Sequence, residues 1–406
     1  ASLSQPALDA LVARTGPHIE NVYPLSPTQQ GMLFHVQLAP ESSVYFEQLS
    51  WTVASPLDLK AFLEAWRVCI QLHPILRSSF HWEGLDVPVQ VVHADAPFPF
   101  EELDWRDLPA GEQRARFEQL LREDKHRGVD LRQAPLIRLT AARLGEHVVR
   151  FLWSHHHLLV DGWSLGLLIK DVFSLYDALR SGNRRLPTSR PAYADYIAWL
   201  HQREEGRDEA WWRTYLEGFA SPTPLPADSR ATLARGQAAS HLVLELSFST
   251  EETAALQAFA RGHQLTLPTL ALASWGLVLS HFSGEHDVVF GQTVAGRPPE
   301  LPGSDSIVGV FINTLPVRVR RAPASSFLLP WLASLQAQLM ELRQYEHAPL
   351  VQVQSWSAVP RGTPLFESLL VFENYPLDSS LLGPSSSIVL QDIHGFESTN
   401  YPLTLS

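Results

Sequence analysis

His155, His156 and His157 stand in an unbroken run, followed after three apolar residues by Asp161, Gly162, Trp163 and Ser164. Imidazole exchanges protons near neutral pH and also ligates metals, so the run has three chemical readings. On a strand, successive side chains face opposite sides, so His155 and His157 share one face while His156 takes the other. As metal ligands, His155, His157 and Asp161 could supply nitrogen and oxygen donors. The remaining ligands would have to come from isolated residues such as His281, His286 or His347, and HExxH is absent, so no metal is assigned. As a hydrolase site, Gly162-Trp163-Ser164-Leu165-Gly166 spells G-x-S-x-G between a strand and a helix. Against it, no HGGG-type oxyanion loop lies upstream, and Ser164 suits a helix N-cap. The third reading makes His157 a neutral imidazole facing a cleft, taking a proton from an attacking nucleophile or holding it in place while an acyl group is transferred. A buried Asp161 would then need a cation, for which Arg77 is the candidate; the alternative is that Arg77 is a plain surface charge.

The elements around this run are legible. Residues 136–142 and 147–154 read as a hairpin turning at Gly145-Glu146. Ser164 is then expected to cap a helix whose apolar side is Leu165, Leu168, Ile169, Val172, Leu175, Tyr176 and Leu179, stopped by Gly182. The histidines therefore lie at a strand-to-helix turn. Upstream, residues 43–54 read as a strand, 58–72 as a helix, and 111–125 as a helix with Phe117, Leu120 and Leu121 on one side. The polar, proline-bearing stretch 181–191 is expected to separate two halves. In the second half, alternating Leu242, Leu244, Leu246 and Phe248 predict a strand and Ser249 with Glu252 a capping box. Helices are expected around 271–280 and 325–346, and strands at 287–294 and 366–372. The pattern is α/β, in two lobes of similar layout.

Composition narrows the function. The 406 residues are 45% hydrophobic and 18% charged, which is globular rather than disordered. A formal net charge of −12 leaves no broad basic surface for a phosphate backbone, so nucleic acid is not an expected partner. Cys69 is the only cysteine, which excludes disulfides within the chain and Cys-based zinc sites and fits a reducing, cytoplasmic setting. The longest apolar run, residues 267–278, is interrupted by Pro268, Thr269, Ser274 and Gly276, so no membrane span is expected.

His156-His157-Leu158-Leu159-Val160-Asp161-Gly162 resembles HHxxxDG, the hallmark of the condensation domains of nonribosomal peptide synthetases. Further stretches resemble the family's other motifs in order: residues 23–35 (YPLSPTQQGMLFH), 72–80 (LHPILRSSF), 193–199 (YADYIAW), 291–298 ending in Gly-Arg-Pro, 308–318 (VGVFINTLPVR), 347–350 and 365–376. The resemblance implies two chloramphenicol-acetyltransferase-like lobes in a V-shaped pseudo-dimer with a tunnel at their interface. It implies amide formation, in which an acceptor amine attacks a donor thioester, both carried on phosphopantetheine arms of carrier proteins docked at opposite mouths. No cofactor is bound by the domain itself. Residues 1–18 then resemble a linker from an upstream carrier protein, 19–182 the first lobe and 183–406 the second. A downstream carrier protein and an adenylation domain would be neighbours in a longer chain, since relatives continue past the equivalent of Ser406.

In family terms His157 is catalytic, with His156, Asp161 and Gly162 completing the motif, Asp161 mainly structural and paired with Arg77, and Trp163, Ser164 and Asn313 candidates for the tunnel. Pro74 and His347-Ala348-Pro349 depart from the family pattern, which affects local loops rather than the chemistry. Cyclization domains carry aspartates in place of the histidines and are excluded. An epimerization domain, a coenzyme-A-dependent acyltransferase, a recruitment platform without chemistry and the Ser164 hydrolase are the alternatives. The opening motif resembles domains that accept a D-configured donor.

Overall fold

The structure is a computed structural model that describes residues 3–40, 43–182, 190–203, 205–225, 242–321, 327–373, 388–396 and 399–406. The chain divides into two compact units. The first comprises Ala1–Gln202, Arg297–Phe311 and Tyr375–Thr399, and the second Arg203–Gly296, Ile312–Asn374 and Asn400–Ser406. Each contains sheet and helix, as the alternating pattern predicts.

The first unit opens with helix α1 (Gln5–Thr15), strand β1 (Ile19–Pro24) and helix α2 (Pro27–Leu38). Ser26 begins α2 with a full capping box to Gln29. Within the segment resembling a linker, α1 buries Leu11 completely against Val89 and Val91. Strand β2 (Phe46–Ala54) and helix α3 (Leu59–Leu72) follow, then β3 (Ser78–His81), β4 (Val89–His93) and β5 (Phe100–Asp104). Helix α4 (Ala110–Arg127) leads to β6 (Ile137–Arg143), β7 (Val148–His156), α5 (Gly162–Arg180) and α6 (Tyr193–His201). The hairpin read from 136–154 is β6 against β7, antiparallel.

A five-stranded sheet ordered β11-β2-β7-β6-β5, where β11 is Leu390–Phe396, carries the histidines on its β7 strand. Strict alternation gives β7 two apolar faces, each with its own helix cover. Phe151 and Trp153 meet Trp51, Phe62 and Trp66, so that β2, β7 and α3 share an aromatic core into which α5 sends Tyr176. On the other face Leu152 packs with Ala142 and with Phe117 and Leu120 of α4. A separate three-stranded sheet, β1-β4-β3, lies in the same unit.

The second unit contains α7 (Glu205–Tyr215), α8 (Thr250–Gly262), α9 (Leu267–Ser283), β8 (Asp287–Val294), β9 (Asn313–Arg320), α10 (Leu328–Leu342), α11 (Leu350–Trp356), β10 (Ser368–Val371) and β12 (Leu403–Leu405). Its sheet is ordered β12-β10-β8-β9, and its core joins Val288, Phe290, Val317, Leu272, Leu335 and Trp212. The Ser249–Glu252 capping box forms as expected. The strand expected from Leu242 to Phe248 does not: these residues pair with no described strand, and Leu242, Leu244 and Leu246 are more than four-fifths exposed. An alternating pattern specifies a face, but only a partner strand makes it a ladder.

Gly291 in β8 lies against Phe366, and a Cβ added there would sit 2.4 Å from the ring. Gly291→Ala should lower unfolding stability by about 1–3 kcal/mol through overpacking. Gly111→Ala in α4, where nothing lies within 4 Å, should be neutral or stabilising by up to about 1 kcal/mol. Urea unfolding of the two variants beside the parent checks this, and equal midpoints for both would refute it.

Candidate active site

At its C-terminal end the core-facing side of β7 turns from aromatic to titratable. His155 follows Trp153 on that face and stacks on it, ring centroids 4.4 Å apart and nearly parallel. Directly across the ladder from His155 stands Glu47 of β2. Its Oε2 lies 3.0 Å from His155 Nε2 and its Oε1 3.4 Å from His157 Nε2, so one carboxylate bridges the two histidines that share a face. Burial would push the Glu47 carboxyl up, but His157 above all, with His155 and His156, holds it below the usual carboxylate range.

His157 is the most accessible of the three, its side chain 18% exposed. Its Nδ1 lies 2.7 Å from the Val160 carbonyl oxygen. A carbonyl only accepts, so Nδ1 carries a proton and the reactive chemistry falls to Nε2. The backbone N–H of His157 donates to the carbonyl of Tyr45, a residue held at φ 63°. Such a backbone is costly for a bulky side chain and persists where surroundings enforce it. His156 points the other way, buried, its Nδ1 accepting from the Leu158 N–H at 3.2 Å. Burial pulls its imidazole down to about 3, so it is neutral in the folded protein. Beside it, a cavity of about 160 Å³ is lined by Val36, Phe46, His126, Arg127 and His156, among others.

Asp161, not Ser164, caps α5: its Oδ1 accepts from the Ser164 N–H at 2.8 Å. Gly162 is the first helical residue. Asp161 Oδ2 accepts from the Phe311 N–H at 2.9 Å, and its Oδ1 lies 3.3 Å from an Arg297 guanidinium nitrogen. Arg297 therefore answers the charge of Asp161, and the expected Arg77–Asp161 pair does not form. Arg77 is buried elsewhere, neither paired with Asp161 nor at the surface. It donates to Glu20 at 2.7 Å and to the carbonyls of Ile70, Gln71 and His93, tying the end of α3 to β1 and β4. Arg297 sits inside the Gly-Arg-Pro stretch singled out in the sequence, but residues 136 positions apart carry no local sign of pairing.

Ser164 is buried as well. Its hydroxyl donates to the Gly309 carbonyl at 2.7 Å and accepts from the Gly309 N–H at 3.0 Å and from Arg297 at 2.8 Å. A hydroxyl so engaged has no access to substrate, and the nucleophile-elbow reading ends there. Trp163 donates its indole N–H to the Asp305 carbonyl at 2.9 Å. Asn313 belongs to the second unit, where its amide donates to the carbonyls of Glu346 and Ala348. Sequence reading missed Glu47; the only signal for it was its place on the strand that pairs with β7. The motif residues 374–376 lie outside the described residues.

With this geometry in place, comparison with known proteins is decisive. The condensation-domain family matches residues 19–406. The chain is 44% identical, over its whole length, to one of the linear gramicidin synthase proteins of Brevibacillus parabrevis, of which it spans 5%. It is 35% identical over 95% of its length to surfactin synthase subunit 3 of Bacillus subtilis (strain 168), spanning 30% of that protein. Among solved structures it resembles the starter condensation domain of the rhizomide synthetase RzmA at a TM-score of 0.72 and 22% identity, covering 91% of this chain and 81% of that one. It resembles the condensation domain of the monacolin K polyketide synthase MokA at 0.76 and 18%, covering 95% and 88%. The chain belongs to the condensation-domain family, acyltransferases that form peptide bonds in nonribosomal peptide synthetases. Its fold is theirs, a mixed α/β architecture of two chloramphenicol-acetyltransferase-like lobes.

His156 makes a pH prediction for stability. Its folded pKa is depressed, so the unfolded chain binds more protons, and stability falls as pH drops below about 6.5 toward 3. Between pH 6.5 and 4.5 this one group accounts for about 2–3 kcal/mol. His156→Asn, whose side-chain carbonyl can still accept from Leu158, should flatten that part of the stability profile. Urea unfolding at pH 6.5, 5.5 and 4.5 measures it, and an unchanged slope would refute it.

Proposed function

We propose that this chain joins a donor acyl or peptidyl group, held as a thioester on a phosphopantetheine arm, to the amine of an acceptor aminoacyl thioester carried in the same way. The observation that carries this reading is His157: an accessible imidazole whose Nδ1 proton is committed to Val160, leaving Nε2 as the atom that meets the amine. As the amine nitrogen bonds to the thioester carbon, the carbon–sulfur bond breaks with its electron pair left on sulfur. The amine proton passes to His157 Nε2 and from there to the departing thiolate. Atoms balance with no metal, cofactor or enzyme nucleophile in the scheme. Asp161 and Arg297 hold the turn on which His157 stands, and Gly162 starts the helix behind it.

The partners in this reading are an upstream donor carrier protein and a downstream acceptor carrier protein, with a neighbouring adenylation domain in a longer chain. The large synthetase proteins of which this chain spans only a small part support that arrangement. The reading places the enzyme in the cytoplasm. Among the described residues, no single helix is long and apolar enough to cross a membrane.

His157→Ala should lower amide formation between two loaded carrier proteins by about 10²-fold or more, with the fold retained. Ser164→Ala should act on stability instead, costing about 1–3 kcal/mol because Gly309 and Arg297 lose a buried partner. Its folded fraction should form amides within a few-fold of the parent. Near-parental turnover by His157→Ala would reject the role of His157, and complete loss of turnover in folded Ser164→Ala would revive the hydrolase reading.

A further inference from the structure

Two buried histidines, His155 and His156, end β7 and His157 follows them, yet the family hallmark begins at His156 and leaves His155 without a task. His155 is 3% exposed, fixed by its stack on Trp153, and its Nδ1 has no hydrogen-bond partner among the described residues. Its polar contact is through Nε2, to Glu47. A carboxylate only accepts, so His155 Nε2 is the donor, and that hydrogen bond fixes one oxygen of Glu47. The other oxygen is thereby aimed at Nε2 of His157. The sequence Trp153, His155, Glu47, His157, Val160 is a continuous line of stacked and polar contacts ending on the ring that the transfer reaction uses.

We propose that Glu47 is a positioning residue for the transfer reaction, a carboxylate clamped by His155 that orients the His157 ring and places a negative charge beside its Nε2. The inference rests on the proposed role of His157 but is testable apart from it. When the amine proton moves to Nε2, His157 becomes a cation, and the fixed carboxylate is already in place to stabilise it without rearrangement. The ring that accepts the amine proton is the neutral one, protonated on Nδ1 and bare on Nε2; once protonated, Nε2 donates to Glu47 while Nδ1 donates to Val160. Other titratable or charged groups on the elements around this point are His35 on α2, His126 and Arg127 at the end of α4, and His156 and Asp161 of the same strand and turn. Asp161 faces Arg297, and His156 faces away with the cavity that His126 and Arg127 line. Glu47 presents its carboxylate to Nε2 at 3.4 Å.

Glu47→Gln tests this, since the amide keeps the size and an acceptor oxygen but loses the charge. Two readings are taken. The first is the pH dependence of amide formation between loaded carrier proteins, whose ascending limb should move to lower pH by about one unit when the carboxylate is removed. The maximal rate should fall about tenfold or more while the KM for the acceptor carrier protein stays within about twofold. The second needs no substrate. In long-range proton–nitrogen correlation spectra of the histidine-labelled chain, the signals lost in His157→Ala identify its ring, and the doubly protonated fraction at pH 6.5 should drop in Glu47→Gln. A ring spectrum unchanged by the substitution would overturn the proposal whatever the activity. Loss of rate with an unshifted pH profile would overturn it too, reducing Glu47 to a packing residue. If the parent chain forms no amide, the proposed function fails while the ring spectra still decide the role of Glu47.

Discussion

One carboxylate holds the candidate site together. Asp161 begins helix α5, receives the backbone N–H of Phe311 and faces the guanidinium of Arg297. Its burial would be prohibitive alone, and each of these contacts offsets part of that cost. Arg297 is buried in turn, over the Phe311 ring at 4.2 Å and bonded through its terminal nitrogens to the carbonyls of Ser304 and Ile307, while its Nε has no hydrogen-bond partner among the described residues. The turn between β7 and α5, and with it the place of His157, depends on these contacts. Such a pair adds little net stability over an apolar replacement, and its contribution here is a defined backbone path.

Strand β7 shows how a sheet serves packing and chemistry with one periodicity. Its even-numbered side carries Leu152 into the α4 core and Ser154 toward Asp124 of that helix. Asp124 also takes Arg138 and Gln48, so that charge is buried but compensated. The odd-numbered side runs from Phe151 through Trp153 to His155, where the helix cover ends and Glu47 replaces an aromatic neighbour. The transition from core to site needs no special backbone on the strand, only a change of residue type at the end of a fixed alternation.

Much of this was legible in the sequence because it is local. The hairpin of β6 and β7, the helices α3 and α4, the buried strand β8 and the Ser249 capping box each follow from periodicity or from a cap three residues away. The face shared by His155 and His157 was legible too, and Glu47 meets both. What was hidden depends on distant pairing. Arg77 and Arg297 both lie in stretches singled out in the sequence, and nothing local tells which one faces Asp161. Ser164 is a sound N-cap by type, but Asp161 three residues earlier is another, and Gly309 claims the serine. The alternating leucines from 242 to 246 ask for a partner strand, which a single segment cannot specify.

The segment Arg297–Phe311 belongs to the first compact unit although chain of the second unit flanks it on both sides. It brings Arg297 to Asp161, and it brings Gly309 so close to Tyr193 that a Cβ there would sit 2.1 Å from the ring. Any recombination of this chain with a relative is constrained by that threading. A crossover between residues 203 and 296 would join the turn of one parent to the Arg297 segment of the other, so Asp161 and Arg297 would come from different parents. Crossovers that respect the units must exchange three stretches at once, so a chimera made at a single junction mixes both units.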